Sequence, residues 1–188
     1  MMKKVILMLF IVLCASVHAL YAQRHYAGVS ALEMNYGLNI FGKSDNNLNF
    51  SYSKYKNRTT YWKVGLNYFE KSFEYSYEDY YLGDPEIIFL NRKAKDFFLD
   101  AIYSKTVATN MTSLFFNLGL GAFTGVETYK ETDTEYDFLL GAKLEAELEY
   151  FVSGRVALLG RVTQYWSPFS DISKWNTTWN VGVKVLLY

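Results

Sequence analysis

Even positions from Tyr136 to Tyr150 read Tyr136, Phe138, Leu140, Ala142, Leu144, Ala146, Leu148 and Tyr150, whereas the odd ones pass from Leu139 and Gly141 to Lys143, Glu145, Glu147 and Glu149. Such a period of two belongs to a strand with one apolar and one polar face. Its length, and the aromatic residues at both ends, fit a tilted strand that crosses a hydrocarbon layer and rests on two interfaces. A helix is the competing assignment, because Ala, Lys, Leu and Glu all favour helices and Leu140, Leu144 and Leu148 are four apart. Against it, the apolar even positions include those that a helix would turn to the opposite side, and Gly141 sits inside the run.

The beginning of the sequence sets the compartment. Lys3 and Lys4 precede an apolar stretch from Val5 to Val17 that is followed by small residues, the layout of a secretory signal and too short for a spanning helix. Cleavage after Ala22 would leave Gln23 first, with Ala19 as the alternative site. Residues 1–22 are therefore expected to be a signal peptide and 23–188 a single domain, exported to the outer membrane of a Gram-negative bacterium. Cys14 is the only cysteine and follows Leu13 inside the apolar stretch. A mature chain would use no disulfide and no thiolate metal site, although it enters an oxidising compartment.

Composition narrows the class. Without Lys3 and Lys4 the 19 basic residues become 17 against 19 acidic ones, so no positive excess exists to neutralise phosphates, and direct nucleic-acid binding is not expected. The chain holds 17 Tyr and 14 Phe but only 2 Pro, rich in strand formers and poor in strand breakers. Beyond the signal no apolar run is long enough for a spanning helix.

Eight alternating segments follow: Ala31 to Ile40, Asn47 to Tyr55, Tyr61 to Phe69, Phe97 to Lys105, Ser113 to Thr124, Tyr136 to Tyr150, Arg155 to Trp166, and a closing segment from Trp179 to Tyr188. Eight strands make a small transmembrane barrel whose interior is filled by side chains. The connections after the second, fourth and sixth segments are short, and those after the third, fifth and seventh are longer: Glu70 to Lys95, Gly125 to Glu135 and Ser167 to Lys174. Phe41 to Asn46 is the exception. This asymmetry matches the short turns and long loops of outer-membrane barrels. The expected fold is thus all-β, an eight-stranded antiparallel up-and-down barrel of outer-membrane type. A soluble, lipocalin-like barrel would alternate too, with its apolar face inward; aromatic strand ends and a sequence that stops at Tyr188 favour the membrane form.

On the polar face, Lys143, Glu145, Glu147 and Glu149 would form an interior row beside Arg155 and Arg161, with Lys63, Asp100 and Lys184 around the barrel. Unpaired buried charge is costly, so a salt-bridged plug is the expected arrangement; a proton or ion path is the functional alternative. The segment Glu70 to Lys95 carries Tyr75, Tyr77, Tyr80 and Tyr81. Tyrosines give contact area at low entropy cost, which suggests a docking surface for a partner protein, against ordinary packing over the barrel mouth.

Catalysis finds little support. His25 is the only histidine after the signal, so neither a histidine-activated nucleophile nor a histidine metal cluster can be assembled. Gly119, Gly121 and Gly125 lie on a strand, not in a phosphate-cradling loop. No spacing singles out an acid pair of glycosidase type. No cofactor or metal is implied.

In their order, Ala22-Gln23, Ala31-Leu32-Glu33-Met34-Asn35, Asn117-Leu118-Gly119-Leu120, Gly125-Val126-Glu127-Thr128, Phe138 to Gly141, Tyr150 to Leu159 and Gly182-Val183-Lys184 resemble the TraO family of conjugal transfer proteins of Bacteroidetes. The resemblance covers nearly the whole mature chain and departs from the family pattern at the Tyr-rich segment. It implies an envelope component of a mating apparatus related to type IV secretion, with other conjugal transfer proteins and outer-membrane lipid as partners, and offers no catalytic residues. The leading expectation is a non-enzymatic barrel that assembles or anchors such an apparatus. The alternatives are a general small outer-membrane barrel with a structural or adhesive role, and a lipid-active barrel enzyme.

Overall fold

Alternation along each segment becomes a closed wall. The computed structural model describes residues 25–40, 46–81, 84–130, 134–170 and 172–188, with the backbone alone for 74–81, 84–90, 130, 134 and 135. The expected signal peptide lies outside the described residues. Eight strands run in chain order: β1 (Ser30–Asn39), β2 (Asn46–Tyr55), β3 (Thr60–Tyr81), β4 (Asp84–Thr109), β5 (Leu114–Lys130), β6 (Thr134–Phe151), β7 (Val156–Trp166) and β8 (Trp175–Leu187). Each pairs antiparallel with the next, and β8 pairs back onto β1, which closes an up-and-down barrel.

The register fixes the shape. A row that starts at Leu148 passes through Gly160, Val181, Tyr36, Leu48, Tyr68, Phe97 and Val126 and returns to β6 at Phe138, ten residues from where it began. That stagger is what tilts strands relative to a barrel axis. It also carries interior residues of distant strands to one level.

Inside and outside, which alternation could not label, are now distinct. Leu66 is 60% exposed and its strand neighbour Lys63 only 1%. Met34, Phe50, Leu99, Leu120, Leu144 and Val181 all face outward, whereas Glu33, Asn49, Asp100, Asn117, Glu145 and Asn180 face inward. An apolar exterior around a polar interior is a surface for hydrocarbon, not water. The soluble-barrel alternative, with its apolar face inward, is excluded by this inversion.

Three tight turns close one end, and each is built by a side chain that caps backbone amides. Asn57 Oδ1 accepts from the Thr59 and Thr60 amides at 2.9 and 2.8 Å, and Asn110 Oδ1 accepts from Thr112, Ser113 and Leu114 at 3.1, 2.9 and 2.8 Å. Ser153 Oγ accepts from the amides of Arg155 and Val156 at 3.3 and 3.1 Å. Asn and Ser in these positions imitate a turn of backbone. Met111, with φ 63°, takes the left-handed conformation this tight reversal needs.

At the opposite end two expectations are corrected. Glu70 to Lys95 is not a loop: β3 and β4 stay paired from Phe69↔Asp96 out to Tyr81↔Asp84. Gly125 to Glu135 likewise is mostly strand, with β5 and β6 paired out to Lys130↔Thr134. The first of these ribbons projects by twelve residues per strand, about 40 Å at 3.4 Å per residue. Pairing of β2 with β3 ends at Phe69, and pairing of β4 with β5 ends at Lys95. Beyond those points neither strand of the β3–β4 ribbon pairs with another described strand.

Candidate functional site

The interior is stacked in four layers. Nearest the turns, His25, Tyr55, Tyr61, Phe115 and Phe151 pack together, with the His25 ring 4.4 Å from Tyr55 and 4.1 Å from Phe115 between centroids. Val29, Ala31, Ala157 and Leu186 complete this floor. The segment before β1 thereby folds into the barrel and plugs its turn end.

Above the floor lies the charge network. Consecutive inward positions on β6 place Glu145, Glu147 and Glu149 in a column, and β7 sets Arg161 in register with Glu147. Arg161 Nε donates to Glu147 Oε2 at 2.9 Å, while its Nη2 meets both Glu33 and Glu147 at short range and Nη1 reaches Asn49 Oδ1 at 3.1 Å. From β3, Lys63 reaches Glu145 at 2.6 Å, Glu147 at 2.9 Å and Glu33 at 3.2 Å. Lys184 lies 3.1 Å from both Glu33 and Glu147 and 3.3 Å from Glu149. Lys143 pairs with Asp100 at 2.6 Å and Glu145 at 3.4 Å.

Hydroxyls and amides complete the shell. Ser53 and Ser51 donate to Glu33 at 2.6 and 3.3 Å, Tyr61 donates to Glu147 at 3.1 Å, and Asn117 donates to Glu149 at 3.3 Å. His25 Nε2 stands 3.2 Å from Glu149 and 3.1 Å from the Tyr55 hydroxyl. All five carboxylates, Glu33, Asp100, Glu145, Glu147 and Glu149, thus meet a cation, while Asp100 Oδ1 and Glu149 Oε1 accept no hydrogen bond among the described residues. In a low dielectric this arrangement is stable only because each charge is answered.

A third, aromatic layer of Phe69, Phe98, Phe123, Leu139 and Tyr165 roofs the network. Gly141 makes room for it: a Cβ there would sit 2.6 Å from the Phe123 ring. The cavity above this layer, between Tyr165, Lys71 and Ser167, measures only about 10 Å³, at the lower limit for one water. In the mouth, Lys71 bridges Asp96 at 2.7 Å and Glu127 at 2.8 Å, and Ser170, from the connection between β7 and β8, donates to Glu127 at 3.0 Å. This fourth layer closes the ribbon end.

Of the residues expected from sequence, Lys143, Glu145, Glu147, Glu149, Arg161 and Lys184 lie together in the network. Arg155 does not: it precedes β7, is exposed in the turn, and stacks on the Tyr188 ring at 5.4 Å. A strand that begins at Val156 leaves its neighbour outside the wall. Glu33 was missed, because only the stagger between strands brings β1 to the level of Glu147. The backbone of Tyr75, Tyr77, Tyr80 and Tyr81 lies on the projecting ribbon, opposite Leu90, Ile88, Pro85 and Asp84.

Solved structures share this architecture. The N-terminal β-barrel domain of Pseudomonas aeruginosa OprF matches with a TM-score of 0.55 at 14% identity, over 86% of this chain and 98% of that one. Neisserial surface protein A matches with a TM-score of 0.53 at 11% identity, over 84% and 94%. Ail, the attachment invasion locus protein of Yersinia pestis, solved with a heparin analogue, matches with a TM-score of 0.50 at 12% identity, over 85% and 97%. At these identities the likeness speaks for the fold alone, an outer-membrane type of barrel. No curated protein sequence matches the chain. The family model described as "Conjugative transposon protein TraO" matches residues 27–187, nearly the whole barrel, and the chain belongs to the TraO family.

Proposed function

We propose that this protein is a non-enzymatic barrel of the outer membrane that anchors or assembles other components of a conjugative transfer apparatus, and that it is not itself a conduit. The observation that carries this reading is the filled lumen: two aromatic layers and, between them, a network of five carboxylates and four cations fill the bore. A barrel packed in this way has a wall and a protruding ribbon to offer, but no passage for a nucleic acid. By the usual asymmetry of such barrels the tight turns face the periplasm and the long ribbon faces outward. The edges of that ribbon, which pair with no other described strand, suit strand addition by a partner protein, and its tyrosines are the proposed contact residues. Residues 1–22 would act as the cleaved export signal.

Mating frequency in a donor that carries a clean deletion of the gene, with a copy supplied in trans, tests the role. Transfer should fall and be restored by the copy; unchanged transfer would sink the reading. Deleting Tyr75 to Asp84 tests the ribbon separately: recovery of transfer proteins with the tagged barrel should drop, and undiminished recovery would remove the ribbon as their contact.

A further inference from the structure

On the lipid-facing wall, four strands enclose a groove of about 480 Å³ lined by Phe50, Leu66, Tyr68, Phe97, Leu99 and Thr124. That lies within the roughly 300–1,000 Å³ of ordinary small-molecule sites. The concavity has a local cause. Thr124, directly opposite Leu99, and Gly125 put a short side chain and none at the β5 edge of the groove, beside the taller Phe97 and Leu99.

At its ribbon end the groove meets an aromatic pair, Tyr68 and Phe97, with rings 4.9 Å apart. One outward position further along β4 is Lys95, and the next is Lys93; both are exposed. Lys93 lies 3.6 Å from Glu70, with 59% of its side chain open to solvent. Glu70, directly opposite Lys95 in the β3–β4 ladder, shares this outward face and is engaged by the Tyr68 hydroxyl at 2.7 Å and by Asn46 at 3.4 Å.

We infer that this groove and the two lysines above it form a binding site for one phosphate-bearing membrane lipid, an acyl chain in the groove and the phosphate on Lys95 and Lys93. The chemistry divides where the wall does. The outward side chains that line the groove are apolar, aromatic or small, and just past the Tyr68–Phe97 pair stand two exposed lysines. Basic side chains just outside the hydrocarbon boundary attract anionic headgroups, and a concave apolar wall beneath them distinguishes a retained lipid from a passing one. The inference rests on the barrel's insertion in a membrane, which is part of the proposed function.

The test uses the full mature protein, folded in detergent and offered monophosphoryl lipid A, phosphatidylglycerol or phosphate-free diacylglycerol, with bound lipid read by native mass spectrometry. One phosphorylated lipid per barrel should be retained, whereas diacylglycerol should not. Lipid A retained in preference would assign the outer leaflet's glycolipid, and phosphatidylglycerol a glycerophospholipid. The paired substitution Lys93→Gln and Lys95→Gln should cut retention about thirtyfold with the barrel still folded, and Thr124→Trp, which fills the groove, should abolish it. Heat-modifiable mobility on gels checks that each variant is folded. Equal retention of diacylglycerol, or retention unchanged in the double lysine variant, would overturn the site. Flotation with phosphatidylcholine vesicles separates the two failures: a barrel that does not float refutes insertion, and one that floats but holds no phosphorylated lipid refutes only this site.

Discussion

Glu147 and Arg161 face each other in register across the β6–β7 ladder, and the same carboxylate is also approached by Lys63 at 2.9 Å and Lys184 at 3.1 Å. One acid therefore answers three cations contributed by three different strands. Removing it leaves all three short of a partner inside the barrel. Glu147→Ala is expected to lower unfolding stability by about 3–5 kcal/mol, the usual cost of breaking a buried pair. Urea titration of the protein folded in phosphatidylcholine vesicles measures it, and a loss below about 1 kcal/mol, the range of exposed pairs, would mean that the network is solvated.

The same packing makes an electrical statement. Purified protein in a planar bilayer should show no stepwise current, and Glu147→Gln should leave the record flat, because the aromatic floor and roof still seal both ends. A steady ohmic pore in the unaltered protein would refute the filled lumen and revive an ion path along Glu145, Glu147 and Glu149.

His25 offers a milder probe. Its ring is packed between Tyr55 and Phe115 and lies against Glu149. His25→Ala should cost about 1–3 kcal/mol, from two aromatic contacts worth about 0.5–1.5 kcal/mol each. Glu149 keeps Lys184 and Asn117, so the barrel should still close. The readout is again the urea midpoint, and no shift would mean that the segment before β1 does not occupy the floor.

Shortening the ribbon should leave the barrel intact. Beyond Phe73↔Arg92 the described pairings of β3 and β4 are with each other alone. Replacing residues 74–91 by Asn-Gly, a two-residue hairpin turn, should keep heat-modifiable mobility and change stability by less than about 1 kcal/mol. A barrel that no longer folds would show the ribbon to be part of the closure.

Much of this architecture was legible because period-two alternation survives in every strand, and the three tight turns announce themselves through Asn57, Asn110 and Ser153. The sequence-based reading stopped β3 at Phe69, although Glu74-Tyr75-Ser76-Tyr77-Glu78 alternates too. A spanning strand needs only about 9–11 residues, so length gives no reason for the pairing to continue past Phe69. Glu33 could be seen as an inward residue of β1, but its partnership with Arg161 depends on how far each strand slides past the next. Arg155 fell on the wrong side of a strand boundary by one residue. Nothing near His25 signals its burial, since its partners come from β2, β3, β5 and β6.

Glu33 on β1 and Lys184 on β8 meet across the seam that closes the cylinder. Until that seam forms, an open sheet would present its glutamates and lysines to lipid, so partial insertion carries a penalty that only completion relieves. An open sheet is therefore disfavoured in a bilayer, and the barrel is expected to enter one as a nearly finished cylinder, or with help at its open edge. Glu33 takes two of its three cations, Arg161 and Lys184, from β7 and β8, so its charge is fully answered only once the cylinder has closed.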